Sequence, residues 1–142
     1  MKTPTSTLGI RLLAVASLLA AEASVAAGEI VVIGHPNVPS LDTKTIERIY
    51  TGKVIEVGGV AVTAVNAGVG SVVRTRFLQD YLNEDEEKYA AYWIVRRYIG
   101  KGTPPREIAA ASAVVDFVRA TPGAIGYVEE SEVRAGVKVL AK

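Results

Sequence analysis

From residue 29 onward, short apolar runs alternate with segments in which apolar residues recur every three or four positions. "EIVVIG" (29–34) is β-branched and uninterrupted until a glycine, then gives way to "HPNVPS"; this predicts a buried strand followed by a loop. Asp42 is placed to cap a helix carrying Ile46, Ile49 and Tyr50 on one face, and Gly52 supplies the left-handed residue that ends it. Gly58 and Gly59 between apolar runs signal a hairpin, although the first run also fits an extended loop; "VAVTAV" (60–65) is the stronger strand. A helix over 71–82 follows, with Phe77, Leu78 and Leu82 facing the core.

Asn83 and Glu86 have the spacing of a capping box for the next helix, which carries acids in its first turn, Arg96 and Arg97 in its last, and Gly100 at its close. Residues 101–107, "KGTPPRE", predict a rigid connector. Ser112 would cap a helix to about residue 120 that buries Val115, Phe117 and Val118. "AIGYV" (124–128) and "VKVL" (137–140) complete the pattern as strands. Strands and helices joined by short connections predict one α/β domain with a mostly parallel or mixed sheet. Ligands of such sheets sit beyond the carboxyl ends of the strands.

The first 27 residues do not fit this pattern. Lys2 and Arg11 precede the apolar run "LLAVASLLAA" (12–21), which is short for a bilayer span and ends among small residues; this predicts a cleaved secretory signal over 1–27 and a domain over 28–142. Removing Lys2, Arg11 and Glu22 takes the chain from 16 basic and 15 acidic residues to 14 of each. A net charge of zero with both signs interspersed argues against a nucleic-acid partner. Cysteine is absent, so a hydrophobic core must supply stability even in an exported chain.

The stretch 66–77, "NAGVGSVVRTRF", carries the candidate chemistry. Amides at a helix start lack intrahelical partners, and the helix dipole adds partial positive charge there. Gly68 and Gly70 permit close backbone approach, Ser71 offers a hydroxyl, and Arg74 offers a two-pronged donor. Read locally, the same residues also describe a capping serine and a structural arginine. There is no P-loop lysine and no third glycine of a dinucleotide fingerprint. His35 is the single histidine, which rules out a multi-histidine metal site, and no Gly-x-Ser-x-Gly elbow occurs. The acids at 84–87 read as a helix start, and Tyr89, Tyr92 and Trp93 read as a core-facing stripe.

Four segments in order, "LDTKTIERIYTGKV", "VTAVNAGVGSVVRTRFL", "YAAYWIVRRYIGKGTPPREI" and "VVDFVRATPGAIGYV", resemble small exported proteins related to the periplasmic phosphate-binding proteins of ABC transporters. The resemblance implies a single lobe of a type II periplasmic-binding-protein-like fold, with a mixed sheet flanked by helices. It places the anion loop of the family at Gly70, Ser71, Val72, Val73 and Arg74. Gly70 and Ser71 match the first two positions of a Gly-Ser-Gly-Thr loop. Val72 and Val73 stand where Gly-Thr would be, while Ala67 and Val69 stand where an arginine and an acid are expected. The roughly 115 residues after the signal make one lobe, so the opposing ligand loops have no counterpart.

The expected function is therefore that of a periplasmic solute-binding-type protein. It would take phosphate or a similar oxyanion, with no catalysis, metal or cofactor. The partners implied are an ABC transporter permease or another exported protein, or a second copy of the chain. One alternative is an interaction protein that kept the lobe and lost the anion, which the valines at 69, 72 and 73 favour. Another is a secreted hydrolase using His35 and a carboxylate.

Overall fold

The computed structural model describes residues 28–142; the secretory segment predicted over 1–27 lies outside the described residues. β1 (Ile30–Gly34) is buried at every position, as a run without a polar residue demands. It lies inside a five-stranded sheet of order β5-β4-β6-β1-β7, made with β4 (Thr63–Asn66), β5 (Arg106–Glu107), β6 (Ala124–Glu129) and β7 (Lys138–Ala141). β4 runs parallel to β5 and β6, whereas β1 is antiparallel to β6 and β7, so the sheet is mixed. β2 (Glu56–Val57) and β3 (Val60–Ala61) form the hairpin turned at Gly58 and Gly59. The single strand expected over 60–65 is split at Val62 into β3 and β4, which belong to different sheets.

Alternation along β1 divides the core. Ile30 and Val32 join the cluster beneath α1 (Thr43–Tyr50), α2 (Val72–Phe77) and α3 (Glu86–Tyr98), while Val31 and Ile33 join the cluster beneath α4 (Ala111–Ala120). Three helices thus cover one face and one helix covers the other. On the crowded face Phe77 stacks on Tyr127 with ring centroids 3.8 Å apart and planes 2° from parallel. The turn entering β6 has no room for a side chain at Gly123, where a Cβ would meet the Ala61 carbonyl oxygen at 2.0 Å and φ is +79°.

The helix starts follow the sequence in part. Asp42 caps α1, its carboxylate accepting the Thr45 amide at 2.7 Å. The helix predicted over 71–82 is α2 continued by a π-turn over Leu78–Leu82. Asn83 does not open α3. It closes the preceding segment in the left-handed conformation, and Asp85 caps α3 by accepting the Lys88 amide at 2.9 Å. Asn83 was free for this role because asparagine tolerates positive φ better than other non-glycine residues. Nor does Ser112 cap α4, which begins after Ala110 with no side-chain cap. Phe117 is only half-buried, under the Arg106 guanidinium at 4.8 Å.

Candidate functional site

The predicted loop leaves the carboxyl end of β4, between the two strands parallel to it. Asn66 and Ala67 are buried at its root and held by two tyrosine hydroxyls, with a third on the neighbouring Val65 carbonyl. The Tyr127 hydroxyl donates to Asn66 Oδ1 at 3.1 Å and accepts the Ala67 amide at 3.0 Å. Asn66 Nδ2 donates to the Tyr89 hydroxyl at 3.2 Å, and that hydroxyl donates to the Tyr50 carbonyl at 3.0 Å. Tyr50 in turn donates to the Val65 carbonyl at 3.0 Å. Burial pushes all three phenols above the ordinary tyrosine range, so they stay neutral donors at physiological pH. Both ends of the Asn66 amide are thereby satisfied inside the protein.

Beyond this root the chain turns at Gly70, with φ +82° and open space where a Cβ would stand. The Ser71 amide donates to the Gly68 carbonyl at 3.1 Å. Ser71 Oγ accepts the Arg74 amide at 3.2 Å, so the serine caps α2. Among the described residues, the amides of Gly70, Val72 and Val73 find no acceptor in the chain. The side chains above them are apolar: Val69 is 61% and Val72 64% exposed, while Val73 is half-buried.

Arg74 does not reach into solvent. It is 5% exposed, and its Nε and Nη2 each donate to Glu86 at 2.7 Å. Nη1 donates to Glu107 at 2.8 Å and to the Ala67 carbonyl at 3.2 Å, and the guanidinium lies 5.5 Å from the Tyr89 ring centre. Burial alone would lower its pKa, but the hydrogen bonds and charge of Glu86, with Glu107 behind it, outweigh burial and raise it. The group is a charged brace tying the loop root to α3 and β5. Its charge is matched by two carboxylates, so it adds little positive potential at the loop.

Of the five predicted ligand residues, the structure brings Gly70, Ser71, Val72 and Val73 together at the loop and turns Arg74 inward beneath them. The sequence reading missed Glu86 and Glu107 as partners of Arg74, and Asn66 and Tyr127 as the loop's anchors. No local spacing signals these pairings, which span 12, 33 and 61 residues. His35 contacts the Asn37 side chain at 2.7 Å and pairs with no carboxylate among the described residues. No group of three metal-ligating side chains occurs among them either.

Two cavities flank the loop. One of about 60 Å³ is lined by Ala67, Ser71, Val73, Ile108 and Tyr127, and a groove of about 190 Å³ runs between Val69, Arg74, Glu86, Ile94 and Arg97. Both fall short of the roughly 300 Å³ at which pockets for organic ligands begin. What the loop presents is three unpartnered amides, those of Gly70, Val72 and Val73, beneath apolar side chains.

No protein-family model and no curated protein matches the chain. Its fold does match solved structures. An ABC-type phosphate transport receptor from Vibrio cholerae aligns with a TM-score of 0.58 and 16% identity, over 80% of this chain and 45% of that one. A protein from Clostridium perfringens, provisionally assigned as a phosphate ABC transporter substrate-binding protein and solved with bound phosphate, gives 0.62 and 22%, over 80% and 44%. PstS from Borrelia burgdorferi gives 0.60 and 15%, over 80% and 47%. The chain thus has the fold of a phosphate-binding-protein lobe and spans less than half the length of each of these structures.

Proposed function

We propose that this chain is a non-catalytic solute-binding lobe of the phosphate-binding-protein type, acting after export, that takes phosphate or a similar oxyanion at the amides of Gly70, Val72 and Val73. The observation that carries this reading is the set of free amides at Gly70, Val72 and Val73, set on a rigid root at the carboxyl end of β4. The likeness to a phosphate-bound structure supports it. Ser71 shapes the turn and Arg74 braces it; the backbone makes the contacts.

Magnitudes make the capture weak. Three amide bonds to a charged acceptor contribute about 1.5 kcal/mol each in an open site. About 4 kcal/mol corresponds to a dissociation constant near 1 mM, before the cost of association is subtracted. Tight uptake therefore needs a second surface over the loop, from an ABC transporter component or another exported protein.

Titrating phosphate into the protein while following backbone amide NMR shifts tests this. Saturable shifts at Gly70, Val72 and Val73 in the millimolar range, with sulfate as the comparison anion, support it. Amides that stay still at tens of millimolar phosphate overturn it.

A second reading has its own observation. Glu86 and Glu107 already satisfy Arg74, and Val69 and Val72 present apolar surface where a ligand loop would be polar. On that reading the lobe serves as an interaction module. Unmoved amides together with a protein partner whose binding is lost in Val69→Asp select it.

A further inference from the structure

α1 and α3 end against each other. α1 closes at Thr51 and Gly52, α3 at Ile99 and Gly100, and both glycines lie at φ +73°. Arg96 ties the two exits together: its Nη2 donates to the carbonyls of Gly52 and Lys101, each at 3.3 Å. The Tyr92 hydroxyl adds a bond to the Thr51 carbonyl at 2.6 Å. Beside this junction lies a groove of about 170 Å³, with buried Trp93 as its floor and Ile49, Val54, Ile55, Val62 and Pro105 around it. Four basic residues gather at the same exits, Arg48 and Lys53 from the α1 side, Arg96 and Lys101 from the α3 side. Lys53 Nζ stands 6.0 Å and the Arg96 guanidinium 5.5 Å from the Tyr92 ring centre. None of the four pairs with a carboxylate among the described residues. Helix C-termini attract cations, but each carries only about half a unit of negative charge. Even with Glu56, exposed at the start of β2, the balance stays positive.

We propose that this groove docks an extended acidic segment of a partner protein, one apolar side chain seated over Trp93 and its flanking carboxylates met by Lys53 and Lys101. Size selects the anchor. A cavity of about 150 Å³ accepts a benzene ring, so the groove has room for one leucine, isoleucine or phenylalanine side chain. It falls short of the roughly 300 Å³ of an organic-ligand pocket. Charge selects the rest, because a surplus of unpaired cations favours an acidic partner and disfavours a basic one. Shape favours a peptide over a bilayer: a recessed slot seats a single anchor residue, as central interface pockets do, and a flat lipid surface leaves it empty. The groove shares no residue with the loop at 66–74, so the docking holds whether or not that loop takes an anion.

Trp93 is the chain's single tryptophan, so its fluorescence reads the groove directly. The probe is a capped acidic peptide with one central phenylalanine. The expected result is a saturable change in Trp93 emission, with amide NMR shifts centred on residues 52–55 and 103. Replacing the phenylalanine by alanine should weaken binding at least about tenfold, the weight of an anchor residue. Changing the peptide's acids to amides, or Lys53→Glu combined with Lys101→Glu in the protein, should weaken it at least about tenfold as well. Both lysines are exposed, so the double variant keeps the parent's circular dichroism. No response at millimolar peptide overturns the proposal, as does equal binding of the alanine peptide or by the double variant. Phosphatidylglycerol vesicles that change Trp93 emission where the peptide does not would assign the surface to lipid and overturn it equally.

Discussion

Arg74 and Glu86 are joined by two parallel hydrogen bonds of 2.7 Å, Nε to Oε2 and Nη2 to Oε1, across the junction between the loop and α3. With its side chain 7% exposed, the arginine has exchanged water for two carboxylates and a carbonyl. Such a pair is hard to break from one side, because the group left behind keeps its desolvation cost without its partner.

Arg74→Ala should therefore lower unfolding stability by about 2–3 kcal/mol, discounted from the cost at a fully buried pair because Glu86 and Glu107 are partly solvated. Arg74→Lys keeps the charge but not the fork, and should cost about 1 kcal/mol. Urea denaturation of the three proteins measures both. An alanine variant within about 0.5 kcal/mol of the parent would mean that the brace carries no weight.

Tyr127→Phe should act on the loop more than on the core. The ring still stacks on Phe77, but the Ala67 amide loses its acceptor and Asn66 Oδ1 its donor. Two buried polar groups left unpaired cost about 1–3 kcal/mol each. Hydrogen exchange should show the loss first at Ala67 and the following loop amides. Uniform loss of protection across β1 and β6 instead would place the effect in the sheet.

Gly123→Ala should be among the most damaging single-methyl additions in the chain. The new Cβ would fall 2.0 Å from the Ala61 carbonyl oxygen at φ +79°, and the obstacle is backbone rather than a mobile side chain. Overpacking and an unfavourable φ together should cost about 2–4 kcal/mol. Thermal melts decide it: an unchanged midpoint would show that the β3 to β6 contact yields easily.

Much of this architecture was legible in the chain because periodicity reports burial. β1, α1 and β6 are local patterns, and Asp42, Ser71 and Gly70 do what their residue types suit them for. The caps at Asn83 and Ser112 misled for different reasons: Asp85, two residues on, took the cap of α3, while α4 starts at Ala111 without a side-chain cap and leaves Ser112 inside the helix. Arg74 was legible as either a ligand or a structural arginine. What settles its geometry is Glu86 and Glu107, brought in by other elements of the fold, and nothing in the spacing of residues 66–77 points to them.

High pH should unfold the protein through its tyrosines. Burial raises Tyr50, Tyr89 and Tyr127 above the ordinary range and pushes Tyr81 up to about 12. In the unfolded chain each titrates near pH 10. A folded-state pKa raised above the unfolded value means that the native state holds its proton longer. Stability from these groups is thus fully present below about pH 10 and is lost as pH climbs from there through the folded values. Each tyrosine held neutral in the fold tilts stability by about 1.4 kcal/mol per pH unit in that window, so four together make the loss steep. Far-ultraviolet circular dichroism and tyrosinate absorbance followed against pH should show this as one cooperative step, with these phenols ionising as helix and sheet are lost. Tyr81→Phe should make the step less steep by one proton, although it also removes the bond from that hydroxyl to the Ile30 carbonyl at 3.1 Å. Tyr50, Tyr89 and Tyr127 ionising gradually near pH 10 with the fold intact would mean that the network under the loop opens to water far more readily than its burial implies.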